Sequence, residues 1–269
     1  LWGMREVYEN KQLVGGKYHW LAENDLKSTN WEKVEPNTPF YLFKPQNVDL
    51  RFEYENGIKI TEIMPINSVG IVTARDSLTI QWSEEEIWNI VNDFVNLHSE
   101  EVRLKYNLGK DSRDWKVNLA QKDIKQTKVA KANLVNILYR PFDIRYTCYT
   151  GKSRGFHCMP RSEVMNQMIF GENIGLITSR QQSQQQEWSL LGVTNLLMES
   201  CAISNKTREI NYLFPLYLYP TDNPTLFDST PTNAPGGRKP NLSPEFITEF
   251  SEKLGLEFIP DGKGNQKQT

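Results

Sequence analysis

An α+β fold, with mixed or antiparallel sheets and flanking helices, is predicted by three features of the chain. Ser83 to His98 repeats its apolar residues at helical spacing, and Leu134 to Tyr149 reads as two strands broken at Pro141. Further strand-like runs follow at Asn173 to Ser179, Gly192 to Leu197 and Leu213 to Tyr219, the last of them apolar enough for the middle of a sheet. At 269 residues and 38% hydrophobic, the chain can bury the core of one large domain or two small ones.

From Leu1 to Trp31, the Gly15-Gly16 pair and scattered aromatics predict turns with short strands or a helix. Pro36 and Pro39 introduce PFYLFKP, a short aromatic strand stopped by Pro45. Asn56-Gly57 then separates RFEYE from IKITEI, the pattern of a tight hairpin over Phe52 to Met64. In SVGIVTARDSLTIQW, Val69, Ile71 and Thr73 fall on one side of a strand that ends at Arg75 and Asp76. Two roles stay open for that end, a ligand contact or a local pair that caps the next turn.

Ser83 and Glu86 form a capping box, and Ile87, Ile90, Val91, Phe94 and Leu97 line one face of the helix they start. Val102 to Thr127, polar around Trp115, Val117 and Leu119, predicts a half-exposed helix with loops. In the second strand after Pro141, Ile144, Tyr146 and Cys148 alternate with Arg145, Thr147 and Tyr149, so one face should pack and the other be presented. GKSRG, residues 151–155, is a basic loop whose two glycines allow a close approach to a phosphate, without the spacing of a P-loop. Ser162 is expected to cap a short helix with Val164, Met165, Met168 and Ile169 on its apolar face, ended by Gly171. The strand that follows delivers Arg180, Gln181 and Gln182 at its end. Residues 220–242, with five prolines and Gly236-Gly237, read as a linker or long loop. Ser243-Pro244-Glu245 opens a last helix with Phe246, Ile247, Phe250 and Leu254, stopped by Gly255. A helix this apolar must dock on something.

Lys and Arg number 31 against 33 Asp and Glu, and the sequence pI near 6.0 does not mark a nucleic-acid binder. Local charge does. Between Leu138 and Arg161, Arg140, Arg145, Lys152, Arg154 and Arg161 face one acid, Asp143, a local balance of five less one. Tyr139, Phe142, Tyr146, Tyr149 and Phe156 are interleaved with them, a mixture suited to phosphates and bases. The same composition also fits a strand pair with core aromatics and arginines paired elsewhere. Arg pairs with guanine and Gln with adenine in the major groove, so Arg180, Gln181 and Gln182 are candidate base readers.

The order YRPFDIRY, then PRSEVM, then NIGLITSRQ resembles the specificity region of the type ISP enzymes, single-chain bacterial restriction-modification enzymes related to type IIG. LWGMRE, SVGIVTARD and FPLYLYP fit the same pattern in the same order, so the resemblance covers most of the chain. The family tends to carry an aromatic before the Pro-Arg step, where this chain has Cys158 and Met159. The resemblance implies a target recognition domain that binds double-stranded DNA beside a fused adenine-specific methyltransferase and a nuclease/translocase. It implies S-adenosylmethionine, Mg²⁺ and ATP for the parent enzyme, with no cofactor in this fragment. It also brings in Arg75 and Tyr146 as groove contacts, beside Arg140, Arg145, Lys152, Arg154 and Arg161 on the backbone. Residues 1–75 would then be the end of the methyltransferase-like region or a connecting β segment, 76–219 the recognition core, 220–242 the linker, and 243–269 the final helix and tail.

The chain itself carries no glycine-rich S-adenosylmethionine loop and no Asn/Asp-Pro-Pro-Tyr/Phe loop, the parts an adenine methyltransferase needs. Asp/Glu-x-Lys triplets occur at Glu9, Asp25, Asp123 and Asp261, without the strand setting of a nuclease. His19, His98 and His157 lack a nucleophile elbow. Cys148, Cys158 and Cys201 contain no CxxC pair, which argues for reduced thiols and against zinc at His157-Cys158. No apolar run nears the roughly 18 residues of a membrane helix, so a cytoplasmic location is expected. A protein-interaction or scaffold module is the alternative to DNA recognition.

Overall fold

The computed structural model describes residues 5–36, 38, 41, 47–183, 187–204, 206–220 and 235–260. Chain contacts divide it into two units, residues 1–58 and 59–269.

In the first unit, β1 (Val7–Glu9) pairs antiparallel with β2 (Gln12–Gly15), followed by α1 (Lys17–Glu23) and α2 (Val48–Glu55). The PFYLFKP strand expected here lies largely outside the described residues. The expected hairpin over Phe52 to Met64 is replaced by two helices, α2 and α3 (Ile60–Ile63). Phe52 and Tyr54 are 72% and 85% exposed, so the alternating pattern has no sheet to bury it. Arg51 and Glu55 instead pair at 2.7 Å across one helical turn, and Asn56-Gly57 ends the helix rather than turning a ribbon.

The second unit contains α3, β3 (Ser68–Val69), α4 (Asp76–Thr79), β4 (Ile80–Gln81), α5 (Glu84–Asn96), α6 (Ser99–Lys105), α7 (Val117–Thr127), β5 (Leu134–Arg140), β6 (Asp143–Cys148) and α8 (Ser162–Met165). After these come β7 (Gly175–Ser179), β8 (Leu191–Thr194), β9 (Leu197–Met198), β10 (Asn211–Pro215), β11 (Tyr217–Leu218), β12 (Lys239–Pro240) and α9 (Pro244–Leu254). Two four-stranded sheets organise it, in the orders β4-β6-β5-β9 and β3-β10-β7-β8, while β11 pairs with β12. Only β5-β9 is parallel among the pairs of named strands. β10 lies inside its sheet, as its apolar sequence predicts.

The first sheet is covered on both faces. Towards the helices, Ile87, Ile90, Val91 and Phe94 of α5 pack with Val117, Ala120 and Ile124 of α7, around Trp115, Cys148 and Phe156. Towards the second sheet and α8, Ile80, Ile137, Tyr149, Val164, Met165, Ile177, Leu197 and Leu213 form a second core. Burying each of these large side chains is worth about 1.5–3 kcal/mol. Double coverage corrects the expectation of one packed and one presented face on β6. Thr147 and Cys148 are both buried, and the Thr147 hydroxyl donates to the Thr79 carbonyl at 2.6 Å. That hydroxyl therefore accepts from Nε2–H of His157 at 2.8 Å, which leaves Nδ1 of this buried histidine unprotonated and unpartnered.

The sheets are joined by residues 68–81, which leave β3, bridge Ile71 to Glu199 and Val72 to Met159, and enter β4. Gly70 permits this crossing, because a Cβ there would lie 2.6 Å from the Glu199 carbonyl oxygen. Local signals held where they were complete. Ser83 and Glu86 make the capping box of α5 reciprocally, and Ser83 Oγ accepts from Glu86 N at 3.2 Å. Ser243 caps α9, and Gly255 closes it at φ 63. Ser162 is a correction, since it is the first helical residue, and Arg161 occupies the cap with φ 55 and no side-chain capping bond. Ile169 also departs from the expected apolar face, being 42% exposed beyond the helix end. No helix among the described residues is long and apolar enough to cross a membrane.

Candidate nucleic-acid interface

The β5-β6 hairpin builds the first of three clusters. Its register shifts between Leu138 and Arg140, and Gln81 of β4 pairs with Tyr146 of β6. Trp82, Arg145, Tyr139 and Arg140 are linked there by ring–guanidinium contacts. The Arg145 guanidinium lies 3.7 Å from the Trp82 ring centre and 4.4 Å from that of Tyr139, and the Arg140 guanidinium lies 3.9 Å from the Tyr139 ring centre.

Both arginines are also neutralised. Arg145 makes a two-pronged bond to Asp143, through Nε at 2.9 Å and Nη2 at 2.8 Å, which raises its pKa further above the usual range. Arg140 bonds Glu199 and lies 3.7 Å from Asp76. Asp76 in turn accepts from the Tyr139 hydroxyl at 3.1 Å, and burial together with that carboxylate pushes the phenol pKa up. Two guanidinium groups thus meet three carboxylates, and the ladder presents rings and guanidinium planes with no surplus positive charge.

Lys152, Arg154 and Arg161 belong to a second cluster. The loop that holds them folds on the buried carboxylate of Asp123, which accepts from Phe156 N at 2.8 Å and the Thr150 hydroxyl at 2.7 Å. A Cβ on Gly155 would lie 2.1 Å from that carboxylate. The close approach expected from the GKSRG glycines is therefore, at Gly155, to an internal acid. Lys152 reaches Gln126 at 2.7 Å. Arg154 is exposed, with φ 54 and no ion pair among the described residues. Arg161 touches the Met159 sulfur at 3.4 Å and holds a buried Nε without a hydrogen-bond partner. Arg154 and Arg161 share a cleft of about 320 Å³ with Asp114, Cys158, Met159 and Glu163, and Asp114 is already paired with Arg113 at 2.8 Å.

The third cluster lies at the end of β7. Arg180 is exposed and rests over the Tyr212 ring at 4.5 Å, and Gln181 is exposed beside it. Gln182 is engaged at both ends of its amide, donating to the Glu187 carbonyl and accepting from Ser189 N, each at 3.0 Å. Glu209 accepts from Thr207 and, at 2.8 Å, from Ser183 N, which holds its carboxyl down at about 2 and ties this loop to residues 206–210. Exposed Lys206 and Arg208 stand on that neighbouring segment, a pair not suggested by any local pattern.

The other predicted residues fall outside these clusters. Arg75 lies over the Trp115 ring at 5.4 Å and donates to the Lys110 carbonyl at 3.0 Å, on the helical side of the first sheet. Tyr146 packs its half-buried ring on the helical core. Trp82, Asp76 and Glu199 were missed as members of the ladder, and only their tertiary placement makes them so.

A family model described as the Type ISP C-terminal specificity domain matches residues 62–268. The chain belongs to that family. Among solved structures it is similar to the DrdV–DNA complex determined by cryo-electron microscopy, at TM-score 0.56 and 16% identity, over 90% of this chain and 24% of that one. It is also similar to a nuclease-deletion mutant of the Type ISP restriction-modification enzyme LlaGI in complex with a DNA substrate mimic, at TM-score 0.50 and 16% identity, over 88% of this chain and 23% of that one. These likenesses establish a shared fold. The chain spans about a quarter of the length of the solved chains it matches. No curated protein is similar enough in sequence to match it.

Proposed function

We propose that this type ISP specificity domain recognises a duplex DNA sequence and positions a fused adenine-specific methyltransferase and nuclease/translocase on it. Family membership over residues 62–268 carries the proposal. Exposed Arg154, Lys206 and Arg208 support it, because no ion pair among the described residues engages them. In this reading Lys152, Arg154 and Arg161 hold the backbone. Arg180 and Gln181 read base edges. Arg140, Arg145 and Arg75 shape the surface from within, and Gln182 holds the reading loop closed. Residues 1–58 would connect to the methyltransferase, and S-adenosylmethionine, Mg²⁺ and ATP would be bound by the parent enzyme in the cytoplasm.

The test is a titration against a mixed-sequence duplex by fluorescence anisotropy at several salt concentrations. Affinity should fall steeply with salt, and replacing Lys152, Arg154 and Arg161 by Ala should flatten the slope by about 0.9 for each phosphate left without its cation. Absence of salt-dependent binding by the folded chain overturns the proposal. In the full-length enzyme, losing a base reader should cost about 1–3 kcal/mol at one position of the site and relax it. An unchanged methylated motif in Arg180→Ala removes that residue from the reading.

Helix α9 favours an added protein contact, since Phe250, Leu254 and Leu256 leave its apolar side open among the described residues. That contact fits a multidomain parent alongside DNA recognition.

A further inference from the structure

The tip of the β5-β6 hairpin is Pro141-Phe142. Proline fixes its own φ, and Phe142 then takes φ 62, the left-handed value that the third position of such a turn requires. Glycine or asparagine fills that position at least cost, and a bulky residue there is a conformational outlier. Burial does not offset the strain, because Phe142 is 101% exposed. No aromatic pair among the described residues involves its ring either.

The surroundings indicate what such a ring meets. Trp82 and Ile144 are 67% and 54% exposed, and the arginines behind them are cancelled by Asp143, Glu199 and Asp76. A ribbon end with flat and apolar groups but no surplus charge suits the faces of bases better than phosphates. A two-stranded ribbon is narrow enough to enter a groove of the duplex, and proteins that enter the minor groove insert apolar side chains, phenylalanine among them, between base steps.

We infer that Phe142 is a wedge that inserts between adjacent base pairs of the bound duplex, with Trp82 and Ile144 packing against the opened step. This rests on the DNA-recognition reading above. The cations of the second cluster hold the phosphates while the hairpin unstacks the bases.

Unstacking draws on the binding energy of the wedge, so a duplex whose stack is already interrupted should bind more tightly. The 269-residue chain, Phe142→Gly and Phe142→Trp are each titrated by anisotropy against an intact duplex and the same duplex with one central abasic site. The wild type should prefer the interrupted duplex by at least about tenfold, since unstacking one step costs a few kcal/mol and about 1.4 kcal/mol is tenfold. Phe142→Trp should keep the preference. Phe142→Gly should lose it and bind the intact duplex more weakly at an unchanged salt slope, while its melting temperature stays level or rises because glycine relaxes the turn. Unchanged affinities and preference in Phe142→Gly, with wild-type binding still dependent on salt, overturn the wedge alone and leave the ring to a protein partner. Absence of salt-dependent binding by the folded wild type overturns both the wedge and the DNA reading.

Discussion

Arg140 and Arg154 lie fourteen positions apart in one basic stretch, yet the fold gives them opposite situations. Arg140 is 17% exposed in its side chain, stacked on Tyr139 and bonded to Glu199, with Asp76 nearby. Arg154 stands in solvent at the rim of a cleft, without an ion pair among the described residues. Local charge in a sequence is therefore not surface charge. The acids that cancel Arg140 come from α4 and from the residue after β9, and the one that cancels Arg145 is Asp143 of its own strand, while the loop cations keep their charge because Asp123 is occupied by backbone and hydroxyl donors. Electrostatic grip and flat stacking surface are thus assigned to different elements.

The largest expected effect comes from breaking the ladder. Glu199→Ala strands Arg140 with Asp76 as its remaining acid, and it also removes the acceptor of Cys201 N and the Ser200 hydroxyl. Opening a buried pair from one side should cost about 3 kcal/mol of stability, readable as a shift in the urea midpoint. Arg140→Ala with Glu199→Ala together should cost less than the sum of the two single changes.

His157, buried between hairpin and loop, sets the next effect. Burial lowers its pKa to about 4, against about 6.5 when unfolded. A depressed histidine favours the folded state in its neutral form, so its contribution is complete above pH 6.5 and is lost as pH falls towards 4. Roughly two and a half pK units correspond to about 3 kcal/mol at the acid end of that window. Stability against pH for wild type and His157→Phe checks this, since the variant should lack that part of the slope.

What the sequence made legible was local. The capping box of α5, both caps of α9 and the Pro141 break between β5 and β6 each depend on residues a few positions apart, and each was realised. Phe52 to Met64 failed because an alternating pattern needs a sheet to bury one face, and none among the described residues reaches it. The site was legible as a composition but not as a geometry. Arg140 has its partner 59 residues away, Gly155 is required by Asp123 32 positions earlier, and Tyr146 turns to the helical core because helices cover that face. Separations of this kind leave no spacing for a sequence pattern to show.

Smaller effects sharpen the contrast between the two kinds of arginine. Arg145→Lys keeps the charge beside Asp143 but loses the planar fork and the stack between Trp82 and Tyr139, for an expected loss of about 1 kcal/mol of stability. Arg145→Ala should cost somewhat more, since Asp143 is then left half-buried without its partner.

Arg154→Ala should be the least visible in folding and the most visible in binding. The exposed side chain makes no hydrogen bond or ion pair among the described residues, so the urea midpoint should move by less than about 0.5 kcal/mol in equivalent stability. Its loss should nevertheless lower the dependence of log K on log salt by about 0.9, and weaken unrelated duplexes equally. If Arg154→Ala instead destabilised the chain as Arg140→Ala does, the loop would be a structural ion cluster like the ladder. The division of labour between stacking hairpin and charged loop would then collapse.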